Sequence, residues 1–500
     1  MMFIDLWNGF LSMLTIYHIL IIAFGVFLGI VFGSIPGLTA TMAVAIFLPI
    51  TFTMEPVSGM ALLMGLYIGG MSGGFIPAIL LKLPGTPSSI ATTFDGYVMA
   101  QDGKASKALG LAIVSSFSAG LISIVILIFV SPLLANVAIE FGPFEYFAIT
   151  MFALTLISSL SEGSITKGML SGLLGLMIAM VGAAPIDAFP RFTLGMNSLD
   201  GGFNLLPALI GLFAVSEVIL ISEQKIKKID KKLAIDKAKG FGFTVKEYMS
   251  QIWNFIRSTI IGVAIGILPG LGGSTANIVA YATAKSQSKT PEKFGKGHTP
   301  GVVAPEAANN AAVGGALVPL LALGIPGDTV TAMILGGLII HGIQPGPLFF
   351  SGHTEVAYGI FAALLIANLF MILFLFFGMR GFVKILSIPR HILMPIIIVL
   401  CVVGAFAENN RIFDMWALLF FGIIGYLLLK FKFPITPIIL GFILGPIAEL
   451  NLRRGLMTTQ GDFLPFITQP IPMAIWIVTL IFVIFSIRNK YKRKGDVLNV

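Results

Sequence analysis

Side chains able to do chemistry are scarce in this apolar chain, and they gather at repeated places. Gly33-Ser34-Ile35-Pro36-Gly37-Leu38 returns as Gly266-Ile267-Leu268-Pro269-Gly270-Leu271. Thr39 and Thr41 follow the first phrase; Gly272, Gly273, Ser274, Thr275 and Asn277 follow the second. A Pro-Gly pair followed by hydroxyls reads as a turn that opens a helix, with Ser or Thr as its N-cap. The first turn of such a helix offers free N–H groups and a partial positive charge, which suits a carboxylate. The bare backbones of Gly37, Gly270, Gly272 and Gly273 would let that ligand approach closely.

A second phrase repeats behind the first. Leu83-Pro84-Gly85-Thr86 follows Gly73-x-x-x-Pro77, and Ile325-Pro326-Gly327-Asp328 follows Gly315-x-x-x-Pro319. Thr86 leads into Ser88, Ser89, Thr92, Thr93 and Asp95; Asp328 leads into Thr329 and Thr331. Such segments mix hydroxyls with unwound carbonyls, so Thr86, Ser88 and Ser89 are substrate-binding candidates. Na⁺ is expected at the Pro84–Ser89 and Pro326–Thr329 segments. Ser and Thr in membrane helices also bond their own backbone; recurrence at matched positions is what favours binding here.

Between the interruptions of the second half lies Ala304-Pro305-Glu306-Ala307-Ala308-Asn309-Asn310-Ala311-Ala312. An acid and two amides in apolar sequence are costly unless paired or functional. Glu306, Asn309 and Asn310 therefore join Asp95, Asp328 and Thr329 as coupling-ion candidates. Glu306 also fits a plain acid at a helix start. Glu217 is the only acid inside an otherwise long apolar span.

Rival chemistries have thinner support. Gly70-Met71-Ser72-Gly73 matches the Gly-x-Ser-Gly of an intramembrane serine protease, and His341 is the base such a nucleophile would need. Close helix packing accounts equally for four such residues in a Gly-rich helix. Gly327-Asp328 is a weaker match to an intramembrane aspartyl protease, because Ile325 stands where that motif has its first glycine. A non-carrier channel or scaffold subunit is the third class.

The elements that position these residues must be membrane helices. The chain is 57% hydrophobic and 11% charged, with a mean hydropathy of +0.98. This predicts an all-α polytopic membrane protein with about 11–15 membrane segments, broken or re-entrant helices included. Residues 1–222 form a first transmembrane repeat, 223–250 a basic cytoplasmic linker and 251–500 a second repeat. The net charge of +8 reads as cytoplasmic loops rather than nucleic-acid binding. Lys104, Lys107, Lys167, Lys225 to Lys246, Arg380, Lys384, Arg390, Lys430, Lys432 and the tail from Arg488 follow one alternation, which Arg191, Arg453 and Arg454 break. It places the N-terminus outside, the C-terminus in the cytoplasm and the two repeats in inverted topology. The first apolar segment reads as a retained helix rather than a cleaved signal. Cys401 is the single cysteine, so an intramolecular disulfide is impossible.

Several phrases taken together carry a family likeness. They are Gly33 to Thr39, Leu83-Pro84-Gly85-Thr86-Pro87-Ser88-Ser89-Ile90-Ala91-Thr92-Thr93-Phe94-Asp95-Gly96-Tyr97, Gly266 to Gly270, Ala304 to Ala311 and Gly324-Ile325-Pro326-Gly327-Asp328. With them the chain resembles the large permease subunit of the tripartite tricarboxylate transporters over nearly its whole length. The resemblance implies a secondary transporter of a bacterial or archaeal cytoplasmic (inner) membrane that imports tricarboxylates or related organic carboxylates. It further implies a periplasmic solute-binding protein, a small membrane subunit and an ion gradient in place of ATP. Na⁺ is the coupling ion that the resemblance suggests, with H⁺ open; no other cofactor is expected. On this reading the substrate's carboxylates sit between Pro36–Thr41 and Pro269–Asn277.

Overall fold

Glycine seams set the architecture. α2 (Ile16–Ser34) and α4 (Pro56–Gly73) run parallel, with Gly25, Gly29 and Gly33 facing Gly65, Gly69, Gly70 and Gly73. α13 (Ile252–Ile267) and α15 (Pro300–Leu323) repeat that seam, with Gly262 and Gly266 against Ala308, Ala312 and Gly315. Small residues at such spacing let membrane helices pack backbone to backbone, where lipid offers no hydrophobic drive for association. The computed structural model describes residues 2–160, 164–223, 241–385 and 390–498.

α1 (Met2–Met13) precedes α2, and α3 (Ala40–Thr51) follows it. α5 (Phe75–Leu81) prolongs α4, and the turn Pro87–Ser89 leads to α6 (Thr92–Gln101) and the long α7 (Ala105–Ala138). α8 (Pro143–Leu160), α9 (Ile165–Ala179), α10 (Leu205–Ile210) and α11 (Ser216–Glu223) follow, with a π-helical turn at Gly211–Val215. Two short antiparallel strands, Gly182–Ala183 and Pro190–Arg191, interrupt this run. After α12 (Val245–Met249) come α13, α14 (Gly272–Ser286), α15, α16 (Thr329–Ile340), α17 (Phe349–Gly352) and α18 (Thr354–Ile385). α19 (Arg390–Asn409), α20 (Ile412–Lys430), α21 (Ile435–Thr458), α22 (Pro465–Thr468) and α23 (Pro470–Leu498) complete the chain. Among the described residues, eight helices are long and apolar enough to cross a membrane. Shorter apolar helices such as α3, α13 and α16 are the broken segments that the Pro-Gly phrases predict.

α2 and α3 form a helical hairpin. α3 runs back along α4, since a Cβ on Gly70 would meet Ala40 and one on Gly59 would meet Thr51. α13 and α14 form a second hairpin, closed at its base where Arg257 Nη1 donates to Gln287 Oε1 at 2.8 Å. α15 ends where α4 begins: Gly346 N donates to Leu321 O, while the neighbouring His341 lies over Gly59. The hairpins therefore enter from opposite ends, with their Pro-Gly turns pointing inward.

Stretches 84–103 and 327–353, behind the second interruption of each half, fold into helix and turn. The first is the Pro87–Ser89 turn with α6; the second is α16, an irregular loop and α17. Two arginines that break the loop-charge alternation are neutralised in an ion-pair network. Arg191 forms a forked pair with Glu449, and Arg453 bonds Glu449 and Asp187. Lys225 to Lys239 of the basic linker lie outside the described residues, as do the side chains of Arg380, Lys384, Arg390 and the tail from Arg488.

Candidate functional site

Both hairpin turns need glycine. Gly37 (φ +97°), Gly270 (φ +81°) and Gly272 (φ +52°) occupy the left-handed region, which L side chains rarely adopt. Each turn leans on the second interruption of its own half. Gly270 N donates to Gly327 O at 2.8 Å. A Cβ on Gly85 would strike the Gly33 carbonyl oxygen, and one on Gly327 would lie 2.6 Å from Gly266 O.

The helices that start at these turns are capped differently. Thr39 Oγ1 accepts from Met42 N at 3.1 Å, as a hydroxyl N-cap should. The expected hydroxyl cap of α14 is a correction: its N-cap is Leu271, without a side-chain bond, and Ser274 Oγ turns back to Leu271 O at 3.5 Å. The leading N–H groups of α14 are therefore left to the backbone and to any ligand. α16 has a complete capping box, Asp328 accepting from Thr331 N at 2.7 Å while Thr331 Oγ1 accepts from Asp328 N at 2.8 Å.

Polar contacts then join the two halves. The Thr41 and Thr329 hydroxyls are 2.8 Å apart, and Tyr67 donates to Asp328 Oδ2 at 2.6 Å. Ser72 donates to Asn310 Oδ1 at 2.7 Å, and Asn309 Nδ2 donates to Met71 O at 3.2 Å. Asn277 Oδ1 accepts from Ala91 N at 2.8 Å. Thr92 and Ser116 donate to opposite oxygens of the fully buried Glu306, at 2.5 and 3.2 Å. Asn309 Oδ1 is buried without a partner and faces Gly273.

Thr86, Ser88 and Ser89 form a hydroxyl cluster, with Thr86 Oγ1 lying 3.0 Å from Ser88 Oγ and 3.2 Å from Ser89 Oγ. Ser88 touches the α14 start, because a Cβ on Gly273 would come 3.3 Å from its Cβ. Pro36, Gly37, Thr39, Gly270, Ser274, Thr275 and Thr329 are half-buried, whereas Pro269, Gly272, Gly273 and Asn277 are buried. Among the described residues no ion pair involves any of these groups, and no three His, Cys, Asp or Glu side chains gather as a metal ion would need. The oxygens on offer are hydroxyl, amide and carbonyl, with the Asp328 carboxylate beside them; that set suits an alkali cation.

Asp95 stands apart from the other acids. It accepts from Gly295 N, Gly297 N and His298 N at 2.7–3.0 Å and from Tyr281 OH at 2.8 Å, binding α6 to the loop before α15. In that loop, burial pulls the His298 imidazole below its ordinary pKa. The structure also brings in Tyr67 and Ser116, whose one signal was a polar group within a small-residue apolar helix, and Thr92, which in the sequence stood only in the hydroxyl-rich run after Thr86. The protease constellation does not assemble: Ser72 is bonded to Asn310, and His341 sits over Gly59 at the far end of α4.

Opposed helical hairpins with Pro-Gly turns, in a chain of apolar spans, define a polytopic membrane protein with a discontinuous-helix centre. A model of the tripartite tricarboxylate transporter TctA family matches residues 19–440. The chain belongs to that family. An uncharacterized 52.8 kDa protein in the TAR-I ttuC' 3'region of Agrobacterium vitis is 36% identical over 488 residues, covering 98% of this chain and 97% of that protein. An uncharacterized protein in the TAR-II ttuC' 3'region of the same organism is 37% identical over 235 residues, 47% of this chain and 97% of its own length. No solved structure matches significantly. The chain is thus a multi-pass membrane protein of a transport family.

Proposed function

We propose that this chain is the carrier subunit that moves organic carboxylates into the cell across the cytoplasmic membrane, driven by an ion gradient. The observation that carries the reading is the pair of inward-pointing turns, Pro36–Thr41 and Pro269–Asn277, with the α14 start lacking a side-chain cap. Carboxylate groups bind between them, at Gly37, Thr39, Thr41, Gly270, Gly272, Gly273, Ser274 and Thr275. Thr86, Ser88 and Ser89 extend the site from the first half, and Asp328 with Thr329 offers oxygens to Na⁺. A cation bound beside a multivalent anion lowers the cost of holding that anion away from water.

Residues 1–222 and 251–500 act as inverted repeats, a reading that the matched seams α2–α4 and α13–α15 support. The hairpins are unequally enclosed. α3 packs on α10, α16 and α19, whereas α14 leaves Ile278 and Val279 exposed. The α13–α14 hairpin is accordingly the arm with room to move. On the charge rule it opens to the cytoplasm, and access alternates as the hairpins exchange enclosure. A periplasmic binding protein delivers the acid, and a small membrane subunit completes the complex.

Uptake of labelled citrate and a panel of other carboxylates into proteoliposomes tests this. The vesicles hold the whole complex, with imposed Na⁺ or pH gradients. Concentrative, saturable uptake that needs the binding protein is the expected result. No gradient-driven uptake of any acid by an intact complex would overturn it.

A further inference from the structure

We infer that Glu306 is the proton-binding site of transport and that the α13–α14 hairpin controls its hold on the proton. The inference rests on the carrier reading and adds a coupled proton and the residue that binds it, beside the Na⁺ proposed at Asp328 and Thr329.

Glu306 lies in the second turn of α15, past the first turn over which a helix start steadies an acid, and it is completely buried. Among the described residues its carboxyl is bonded by two hydroxyls only, Thr92 Oγ1 to Oε1 and Ser116 Oγ to Oε2. A buried carboxylate needs a cation or several strong donors; without them it takes up a proton instead. The other ionisable groups on α4, α6, α7, α13 and α14, which pack around α15, have partners of their own or face away: Tyr97 lies under Lys82, and Lys285 is exposed. Asp95 and Tyr281 bond one another, Tyr67 bonds Asp328, Arg257 bonds Asn254 and Gln287, and Lys107 pairs with Glu247. The contrast with Asp95 is internal to the site. Asp95 receives three backbone N–H groups and a phenol, the donor set of a carboxylate.

The link to transport runs through Thr92. Its Oγ1 lies 3.4 Å from Asn277 Nδ2, and Asn277 Oδ1 holds Ala91 N at 2.8 Å. Asn277 belongs to α14, the arm that carries the candidate substrate turn. Movement of that arm releases the Ala91–Thr92 turn and changes the donors on Glu306. The proton enters from the outside and joins a carboxylate oxygen while Thr92 is withdrawn; it leaves to the cytoplasm when Thr92 returns, because a hydroxyl donated to the carboxylate favours the charged form. No other bond forms or breaks.

Calorimetry of citrate binding to the intact complex, in buffers of different ionisation enthalpy, counts protons taken up. At a pH alkaline enough for the citrate-free complex to have released this proton, wild type should take up roughly one per citrate, and Glu306→Gln none. In vesicles, Glu306→Gln should lose pH-gradient-driven accumulation by about tenfold or more while keeping citrate counterflow. Ser116→Ala, which leaves the acid in place, should move the pH midpoint of proton uptake and so serves if the Gln variant does not fold. Buffer-independent binding in wild type, or accumulation by Glu306→Gln that still follows the pH gradient, would overturn the inference. Uptake driven by Na⁺ alone would also overturn it and leave the carrier reading standing. Absence of citrate and all other acid transport in wild type would instead strike the carrier reading.

Discussion

Tyr67 and Asp328 come from different halves of the chain and meet at 2.6 Å, where α4 passes the start of α16. Both are buried, and the second Asp328 oxygen is occupied by Thr331. The contact joins the halves at the point where the broken helix of the second half begins. Tyr67→Phe removes the donor and leaves Asp328 Oδ2 without it. A loss of about 1–3 kcal/mol is expected, read as a lower melting temperature of the solubilised protein. An unchanged melting temperature would show that the pair contributes nothing to stability.

The two Pro-Gly-Thr/Asp phrases should be equally intolerant of bulk. Gly85→Ala and Gly327→Ala each place a methyl against the carbonyl oxygen of the opposing Gly33 or Gly266. Each should cost about 1–3 kcal/mol by overpacking. Gly201→Ala, where a Cβ would meet nothing within 4 Å, is the control and should change stability by under ~0.5 kcal/mol. Equal stability of all three variants would contradict the tight approach.

Gly37→Val and Gly270→Val place a β-branched residue at φ +97° and +81°. The left-handed conformation costs an L residue roughly 1–2 kcal/mol, small beside whole-protein stability but directly at the turn. Uptake should fall about tenfold or more while membrane insertion persists. Normal uptake by both variants would remove these turns from the site.

Among the described residues, Asn309 Oδ1 is the one oxygen of the central amides without a partner. If it serves the ligand, Asn309→Ala should weaken substrate binding by about 1–3 kcal/mol, roughly tenfold to a hundredfold. Equilibrium binding of labelled citrate measures this. An unchanged dissociation constant would leave Asn309 with only its bond to Met71.

Asp95→Asn should loosen the loop ahead of α15. An amide nitrogen would then face some of the N–H groups of Gly295, Gly297 and His298 that the carboxylate now accepts from. Limited trypsin digestion at Lys293 and Lys296 should quicken, by about tenfold for ~1.4 kcal/mol of lost loop stability. A cleavage rate equal to wild type would show that other contacts hold the loop.

Much of this was legible before the fold. The Pro-Gly phrases marked both hairpin turns, and the hydroxyl cap expected after the first of them is present at Thr39, because capping joins residues three apart. The same rule misled after the second phrase, where the backbone enters α14 through Gly272 and the helix starts without a hydroxyl cap. Glu306 shows another limit. Its position in sequence allowed a helix-start acid; the start of α15 at Pro300 and burial between α7, α6 and α14 remove that reading.

By itself, the sequence determined that this chain is helical and membrane-embedded, that its spans break at Pro-Gly phrases, and that those breaks recur in two halves. Turn stereochemistry and apolar run length act between near neighbours, so they are written locally. Only the tertiary structure decided that Tyr67 bonds Asp328, that Asp95 anchors a loop, and that Thr92 and Ser116 are the donors to Glu306. The partner of a buried polar group depends on which distant helix crosses it. Packing along the glycine seams sets that crossing, and no short stretch of sequence contains it.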